Sequence, residues 1–185
     1  MKVFPLKLQG AYLLEPVAHE DSRGFFMESY NESVMKNAGI STSFIQDNQA
    51  LSTEAGVLRG LHYQLNPKAQ TKLIRVLTGA IYDVIVDIRL SSPTYRQWVG
   101  VIISDTNKRQ LLVPKGFAHG YCTLVPNTQV FYKVDEYYSP EHDRGILWTD
   151  PALGIDWPTS NPVLSEKDQK HPLLKDAEIN FNFGS

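Results

Sequence analysis

Short apolar runs separated by turn-forming residues fill the middle of the chain, and they restrict its fold more than any other feature. KLIRVL (72–77) alternates apolar with polar residues, and AIYDVIVDI (80–88) follows it after Thr78-Gly79, which predicts a tight turn. The runs that continue this series are WVGVIIS (98–104), QLLVP (110–114), GYCTLV (120–125) and QVFYKV (129–134). Many short strands at close intervals are typical of sandwiches, jelly rolls and barrels. We therefore expect an all-β fold.

Helix signals are few. Asn31 is a candidate N-cap for a short helix over 32–38, which Gly39 would end. Ser165 could cap a second one over 166–171, before Pro172. No repeat or linker divides the chain, so we expect one domain over residues 1–185.

Composition and local sequence patterns argue against several classes of protein. The 18 basic and 20 acidic residues give a net charge of −2, whereas a general nucleic-acid binder needs a basic excess. Cys122 is the only cysteine, which excludes an intramolecular disulfide and suits a reducing compartment. The first 16 residues lack the apolar core of a signal peptide, and no apolar run approaches the roughly 20 residues of a membrane helix. We expect a soluble, cytoplasmic protein.

Polar and charged residues interrupt the strand-like runs. They are Arg59, His62, Lys72, Asp83, His119 and Tyr132. A buried charge is costly unless it is paired, so six such residues on five segments can be explained by convergence on one polar cavity. Each residue alone also has an ordinary explanation, such as a solvated lysine at a strand edge or a hydrogen-bonded core tyrosine. The sequence leaves both interpretations open.

The alternation of side chains assigns these residues to faces. In LRGLHYQ (58–64), His62 shares a face with Leu58 and Gln64, and Arg59 points the other way. A regular strand therefore cannot place Arg59 and His62 in one pocket. Gly60 could permit a bulge that redirects one of them, and we predict a bulge or a strand end there if the two side chains share a site.

His62 is the natural acid–base candidate, because an unperturbed imidazole titrates near pH 6.5. The alternative is a structural histidine with satisfied hydrogen bonds. Asp168 stands three residues after Ser165, a spacing that also fits a variant capping box.

A metal site is the other chemistry to test. PKGFAH (114–119) matches the Pro-x-Gly-x-x-His core of the second cupin signature. A metal-binding cupin also needs a His-x-His pair, and the corresponding residues here are His62, Tyr63 and Gln64. A metal site needs three or four nitrogen or oxygen ligands, and the sequence does not offer such a set at the expected spacing. We therefore expect a cupin-like barrel that binds no metal.

Several motifs in a fixed order resemble one family. They are DSRGFF (21–26), QDN (46–48), LRGLHYQ, DVIVDIR (83–89), PKGFAHGY (114–121), YYSP (137–140) and the Leu-Trp to Asp-Trp-Pro segment (147–158). Together they resemble the dTDP-4-dehydrorhamnose 3,5-epimerases. The resemblance implies a cupin-type jelly roll, usually a homodimer with exchanged N-terminal strands, that needs no metal or organic cofactor. It implies conversion of dTDP-4-dehydro-6-deoxy-D-glucose to dTDP-4-dehydro-L-rhamnose, a step of dTDP-L-rhamnose biosynthesis for bacterial surface polysaccharides.

The resemblance also implies the catalytic residues. His62 would remove the protons at C3 and C5, which are acidic because both carbons flank the C4 ketone. Lys72 would stabilise the enolate oxygen, and Tyr132 would return a proton from the opposite face of the ring. Asp168 resembles the acidic partner of the histidine, and Asp83 is an alternative partner.

The remaining implied positions bind the nucleotide. Arg23 and Arg59 would pair with the diphosphate, and Tyr138 would stack on the thymine. Hydrogen bonds to the thymidine side would come from Gln46, Asp47 and Asn48. The further ligand-binding positions are Glu28, His119, Lys167 and Asp143, of which Asp143 stands where the family pattern has Glu.

Three other functions share some of these features. A relative that inverts only C3 or only C5 for another deoxysugar would keep both His62 and Tyr132. A non-catalytic sugar- or nucleotide-binding jelly roll would need the pocket without an opposed base and acid. A metal-dependent cupin is disfavoured by the residues that follow His62.

Overall fold

The computed structural model describes residues 1–184, and they form an almost entirely β structure. The strands are β1 Lys2–Pro5, β2 Tyr12–Glu15, β3 Ala18–Asp21, β4 Gly24–Met27, β5 Gln46–Ser52, β6 Leu58–Gln64, β7 Lys72–Thr78, β8 Ala80–Asp87, β9 Trp98–Ser104, β10 Gln110–Val113, β11 Phe117–Thr123, β12 Thr128–Val134 and β13 Asp143–Gly145. The helical elements are α1 Glu32–Asn37 and two 3₁₀ turns, Asp168–Lys170 and Leu174–Asp176. Within residues 1–184, no helix is long and apolar enough to cross a membrane.

Two antiparallel sheets face each other. The six-stranded sheet has the order β1-β2-β10-β7-β12-β5, and the five-stranded sheet has the order β13-β6-β11-β8-β9. Strands β3 and β4 form a separate hairpin. Successive strands alternate between the two large sheets through much of the chain, and the all-β jelly-roll expectation is confirmed.

The space between the sheets is mainly apolar. Ile74 and Val130 of the six-stranded sheet pack there with Ile81 and Ile85 of the five-stranded sheet. Because side chains alternate along a strand, residues two positions away on the same strands also point inward. Lys72 on β7 and Tyr132 on β12 therefore share the interior face of the six-stranded sheet.

The outer face of each sheet is also covered. Leu61 and Val84 on the five-stranded sheet pack against Leu174 and Phe181 from the C-terminal segment. Met35 of α1 packs against the outer side of the six-stranded sheet. These layers hold both sheets in place while their inner faces carry polar groups.

The predicted bulge at Gly60 is confirmed. His62 pairs with His119 and Arg59 pairs with Tyr121, so three steps along β6 match two steps along β11. The extra residue redirects Arg59 toward the face that His62 occupies. Gly60 has φ +133°, and a Cβ there would stand 2.5 Å from the Cα of Gly120. A side chain at this position would thus collide with the neighbouring strand.

The first of the two helix predictions is confirmed. The Asn31 side chain accepts a hydrogen bond from the Val34 backbone N–H at 3.2 Å, and α1 ends before Gly39, which has φ +81°. The second predicted helix, over 166–171, is only a 3₁₀ turn. Pro172 and the fixed position of Asp168 against β6 keep this segment short.

Candidate active site

A cavity of about 450 Å³ opens between the sheets at one end of the sandwich. Its polar lining residues are Arg59, His62, Lys72, His119, Tyr121, Tyr132, Ser165, Lys167 and Asp168. A second compartment of about 240 Å³ is lined by Gln46, Asn48, Tyr138 and Asp143, and shares His62, Lys72, Tyr132 and Lys167 with the first. The two spaces therefore form one cleft, and five of the six polar residues found in the strand-like runs converge on it.

A histidine–aspartate dyad forms one wall. His62 Nε2 lies 2.5 Å from Asp168 Oδ1, with 31% of the His62 side chain and 5% of the Asp168 side chain exposed. The Ser165 hydroxyl donates to Asp168 Oδ2 at 2.9 Å, and the Asp168 backbone N–H donates to Ser165 Oγ at 3.1 Å. Ser165 thus fixes Asp168 through two hydrogen bonds, and the Asp168 carboxylate orients His62 at the same time.

The charges of the dyad are set by burial and hydrogen bonding. Burial lowers the pKa of His62 and outweighs the attraction of Asp168, so the imidazole is neutral at pH 7. Burial acts to raise the pKa of Asp168, but the neighbouring His171 and the hydrogen bonds with His62 and Ser165 leave it well below its usual range. The result is a neutral imidazole beside a carboxylate, which is the state a general base requires.

The opposite wall carries a cation and a phenol. Burial lowers the pKa of Lys72 to about 8, although the carboxylates of Asp143 and Asp83 act to raise it. Burial raises the pKa of Tyr132, an effect that the charge of Arg59 reduces. At pH 7 the lysine is therefore mostly protonated and the phenol keeps its proton.

A second histidine–aspartate pair lies deeper in the cleft. His119 Nε2 is 2.5 Å from Asp83 Oδ1, and the Asp83 side chain is fully buried. Asp83 therefore partners His119, and the alternative in which Asp83 orients His62 is wrong. Asp83 faces Tyr121 across the β8–β11 ladder rather than any residue of β6.

Tyr138, Asp143 and Lys167 meet at the mouth of the cleft. The Tyr138 hydroxyl donates to Asp143 Oδ2 at 3.0 Å, and Lys167 forms an ion pair with the same carboxylate oxygen. Nearby, the Gln46 amide donates to Asn48 Oδ1 at 2.8 Å. The shorter Asp143 side chain is thus in contact with two other predicted ligand residues.

Three predicted binding residues lie outside the cleft. Asp47 points away from it because its parity on β5 is opposite to that of Gln46 and Asn48, and it pairs with Lys133 at 2.8 Å on the outer face. Arg23 pairs with Asp21 at 2.6 Å in the β3–β4 hairpin, with 87% of its side chain exposed. Glu28 follows the same hairpin and accepts a hydrogen bond from Asn31.

His171 is a site residue that sequence reasoning missed. Its Nε2 lies 3.4 Å from the Asp168 oxygen that pairs with His62, and its side chain is 8% exposed. Residues three apart eclipse in a 3₁₀ turn, so the spacing from Asp168 was the only signal available.

The histidine cluster also resembles a metal-ligand set. The ligand atoms of His62, Asp168 and His171 all lie within 4.8 Å of one another. Two ligands about 2.0 Å from a tetrahedral zinc are about 3.3 Å apart. The 2.5 Å between His62 and Asp168 is too short for that arrangement and fits a hydrogen bond instead.

Comparison with known proteins assigns this architecture to one family. The dTDP-4-dehydrorhamnose 3,5-epimerase model matches residues 5–176. The enzyme of that name from Shigella flexneri is 49% identical over 179 residues, which are 96% of this chain and 98% of the relative.

Two solved structures are similar over nearly the whole chain. The Bacillus anthracis enzyme with TDP and PPi bound is 61% identical with a TM-score of 0.91, and covers 93% of this chain and 98% of its own. The Legionella pneumophila enzyme in complex with dTDP-4-keto-L-rhamnose is 42% identical with a TM-score of 0.94, and covers 100% and 99%. The chain therefore belongs to the dTDP-4-dehydrorhamnose 3,5-epimerase family.

Proposed function

We propose that this chain is a dTDP-4-dehydrorhamnose 3,5-epimerase. It inverts C3 and C5 of dTDP-4-dehydro-6-deoxy-D-glucose in the cytoplasm, as one domain over residues 1–185 and without a metal or organic cofactor. The product, dTDP-4-dehydro-L-rhamnose, continues to dTDP-L-rhamnose. The single observation that carries the proposal is the position of His62 on the five-stranded sheet, held there by Asp168, opposite Lys72 and Tyr132 on the six-stranded sheet.

Each of these groups has one chemical role. The ring nitrogen of His62 that does not face Asp168 removes the proton at C3 or C5, and Asp168 stabilises the imidazolium that results. Negative charge then develops on the C4 oxygen, where the ammonium of Lys72 stabilises it. Tyr132 delivers a proton from the other side of the ring. Inversion needs a base on one face of the sugar and a proton donor on the other, and the two facing sheets supply them.

The rest of the cleft binds the nucleotide. Arg59 pairs with the diphosphate, and its guanidinium is free of carboxylate partners among residues 1–184. His119 also binds in this region, and Asp83 fixes its ring. Gln46 and Asn48 hydrogen-bond the thymidine side, while Tyr138 stacks on the base and Lys167 contacts the ligand at the mouth.

The proposal includes a homodimer. Arg23 and Glu28 lie on or beside the β3–β4 hairpin, away from this chain's own cleft, so they reach a ligand only in a second copy. Phe25 and Phe26 on that hairpin are 55% and 71% exposed, and a second copy would cover them. Light scattering gives the mass directly. An active monomer that binds ligand equally well after Arg23→Ala contradicts this part.

The decisive experiment follows the substrate by NMR in D2O. Wild type is expected to incorporate deuterium at both carbons and to invert both, whereas inversion at one carbon only would identify a single-centre epimerase. His62→Asn should abolish exchange and inversion. Tyr132→Phe should still exchange, because the His62 imidazolium trades its proton with solvent and returns deuterium to the original face, with configuration retained.

The control and the contrary results are equally specific. Tyr137→Phe removes a hydroxyl from an exposed tyrosine outside the cleft and should behave as wild type. Inversion at the wild-type rate by Tyr132→Phe would show that another group delivers the proton. Continued exchange in His62→Asn would remove His62 from the role of base. No exchange in wild type would leave only a binding module.

A further inference from the structure

His171 is buried against the dyad without a role in the proposed mechanism. Its ring meets the His62 ring edge-on, with centroids 5.4 Å apart and planes at 75°. Its Nε2 forms no hydrogen bond within residues 1–184, although it lies 3.4 Å from Asp168 Oδ1. A buried imidazole nitrogen without a partner is costly, so its position calls for an explanation.

The backbone beside His171 leaves room for the ring. Gly145 on β13 pairs with His62 on β6, and a Cβ on Gly145 would overlap the His171 imidazole. The residue nearest to His62 on the neighbouring strand is therefore one without a side chain. The His171 ring occupies the space beside Gly145, and its Nε2 faces Asp168 Oδ1, the oxygen that also pairs with His62.

Sharing one oxygen has a chemical consequence. An N–H of His171 that faces Asp168 Oδ1 stabilises the carboxylate and competes with His62 for its negative charge. Asp168 then holds the His62 proton less tightly. The base of an epimerase must take a proton from carbon and then release it before it can act again. A carboxylate that stabilises the imidazolium too strongly slows this release.

We propose that His171 is a positioning residue of the dyad, whose Nε2–H faces Asp168 and limits how tightly the carboxylate holds the proton that His62 takes from the sugar. The inference rests on the proposed function for its kinetic part. The other titratable or charged groups that line the cleft with His62 and Asp168 are Arg59, Tyr63, Lys72, His119, Tyr121, Tyr132, Tyr138, Asp143 and Lys167. All of them remain unchanged in the variants below.

Two variants of His171 distinguish the contribution of its N–H donor from that of its aromatic ring. His171→Phe keeps an aromatic ring beside Gly145 and removes the N–H, whereas His171→Gln keeps a neutral N–H near the same place. In His171→Phe we expect His62 to titrate about 0.5–1 pH unit higher. A nearby full charge typically shifts a pKa by about 1–3 units, and the loss of a neutral N–H should have a smaller effect. The acid limb of kcat/KM moves up by the same amount, and His171→Gln stays near wild type.

Two measurements on folded protein need no activity. Titration of the His62 C2–H signal by NMR, assigned with His62→Asn, reports the basicity of the dyad directly. Long-range ¹H–¹⁵N spectra of wild type report which His171 nitrogen carries the proton, and they remain decisive if His171→Phe does not fold. A failed epimerase assay with a shifted His62 titration would overturn the function and keep this inference.

The contrary outcomes are distinct. A wild-type His171 whose Nε2 carries no proton refutes the inference. So does His171→Phe with an unmoved His62 titration, which is the result for a histidine that merely fills space. An equal movement in His171→Gln and His171→Phe would assign the effect to charge rather than to the N–H, and would also overturn it.

Discussion

Lys72 carries a positive charge that the fold stabilises poorly and that the proposed mechanism requires. Its pKa is lowered to about 8 from an ordinary 10.5 because burial penalises the ammonium. At about 1.36 kcal/mol per pH unit, this difference corresponds to about 3.4 kcal/mol of destabilisation. Because Lys72 lines an open cleft, we discount this value for solvent screening and expect Lys72→Met to stabilise the protein by ~1–3 kcal/mol at pH 7.

The size of the effect depends on pH, whereas its sign does not. Both the folded and the unfolded protein carry the charge below pH 8, so the cost is fully present there. Above pH 8 the folded protein loses the proton first, and the cost declines until pH 10.5, where the unfolded protein has lost it too. The advantage of Lys72→Met is therefore expected at pH 7 and should largely vanish by pH 10.5.

The same substitution should abolish most of the activity. Removing a charged group that stabilises a developing oxyanion typically costs on the order of 10²–10³ in kcat. In wild type, kcat/KM should fall about tenfold per pH unit above pH 8, since only protonated Lys72 stabilises the enolate. Urea unfolding at pH 7 and pH 10.5, together with kcat at pH 7, measures both effects.

A matched control is Lys36→Met, which removes an exposed lysine on α1 that pairs with Glu32. It should leave activity unchanged and stability within about 0.5 kcal/mol. The electrostatic reasoning would be refuted if Lys72→Met were less stable than wild type at pH 7. It would also be refuted if the gain in the free energy of unfolding were the same at pH 7 and pH 10.5. Retained kcat would remove Lys72 from the chemistry.

Three further predictions concern the ligand, the bulge and the absence of a metal. Arg59→Ala should weaken binding of dTDP by roughly 1.5–3 kcal/mol, measured by competition with substrate, because a charge-assisted pair is lost; equal inhibition of both proteins would remove Arg59 from the phosphate site. Gly60→Ala should lower the free energy of unfolding by ~2–4 kcal/mol because the new Cβ meets the β11 backbone, whereas Gly154→Ala, with open space around it, should cost only about 1 kcal/mol. Prolonged chelation should leave epimerisation unchanged, and a loss restored by Zn, Fe or Mn would contradict the expected metal independence.

Local sequence rules predicted the bulge because two of them conflicted. Alternation placed Arg59 and His62 on opposite faces, and a shared pocket required them on one face. Gly60 was the position at which the backbone could resolve the conflict, and the register against β11 shifts there. Parity also accounts for the inward position of Tyr132, since Val130 and Val134 on the same face are buried.

Local sequence rules could not predict side-chain partners that depend on the register of strands distant in sequence. Asp83 was assigned to the wrong histidine as an alternative because its partner depends on how β8 is aligned with β11. The outward direction of Asp47 follows from parity on β5, yet it was grouped with its neighbours because they form one motif. His171 was missed because a 3₁₀ turn of three residues has no periodic signal in sequence.

Polar groups inside a sandwich explain why the site occupies this end of the fold. The inner faces of both sheets are apolar along most of their length, and a polar side chain there needs a partner. His62 and His119 each have an aspartate at 2.5 Å, whereas Lys72 has no hydrogen bond or ion pair among the described residues and its pKa falls instead. An unpaired ammonium is poor for stability but remains available to an anion that exists only during the reaction. A paired His62 as the base and an unpaired Lys72 opposite it therefore suit the enolate intermediate of the proposed mechanism.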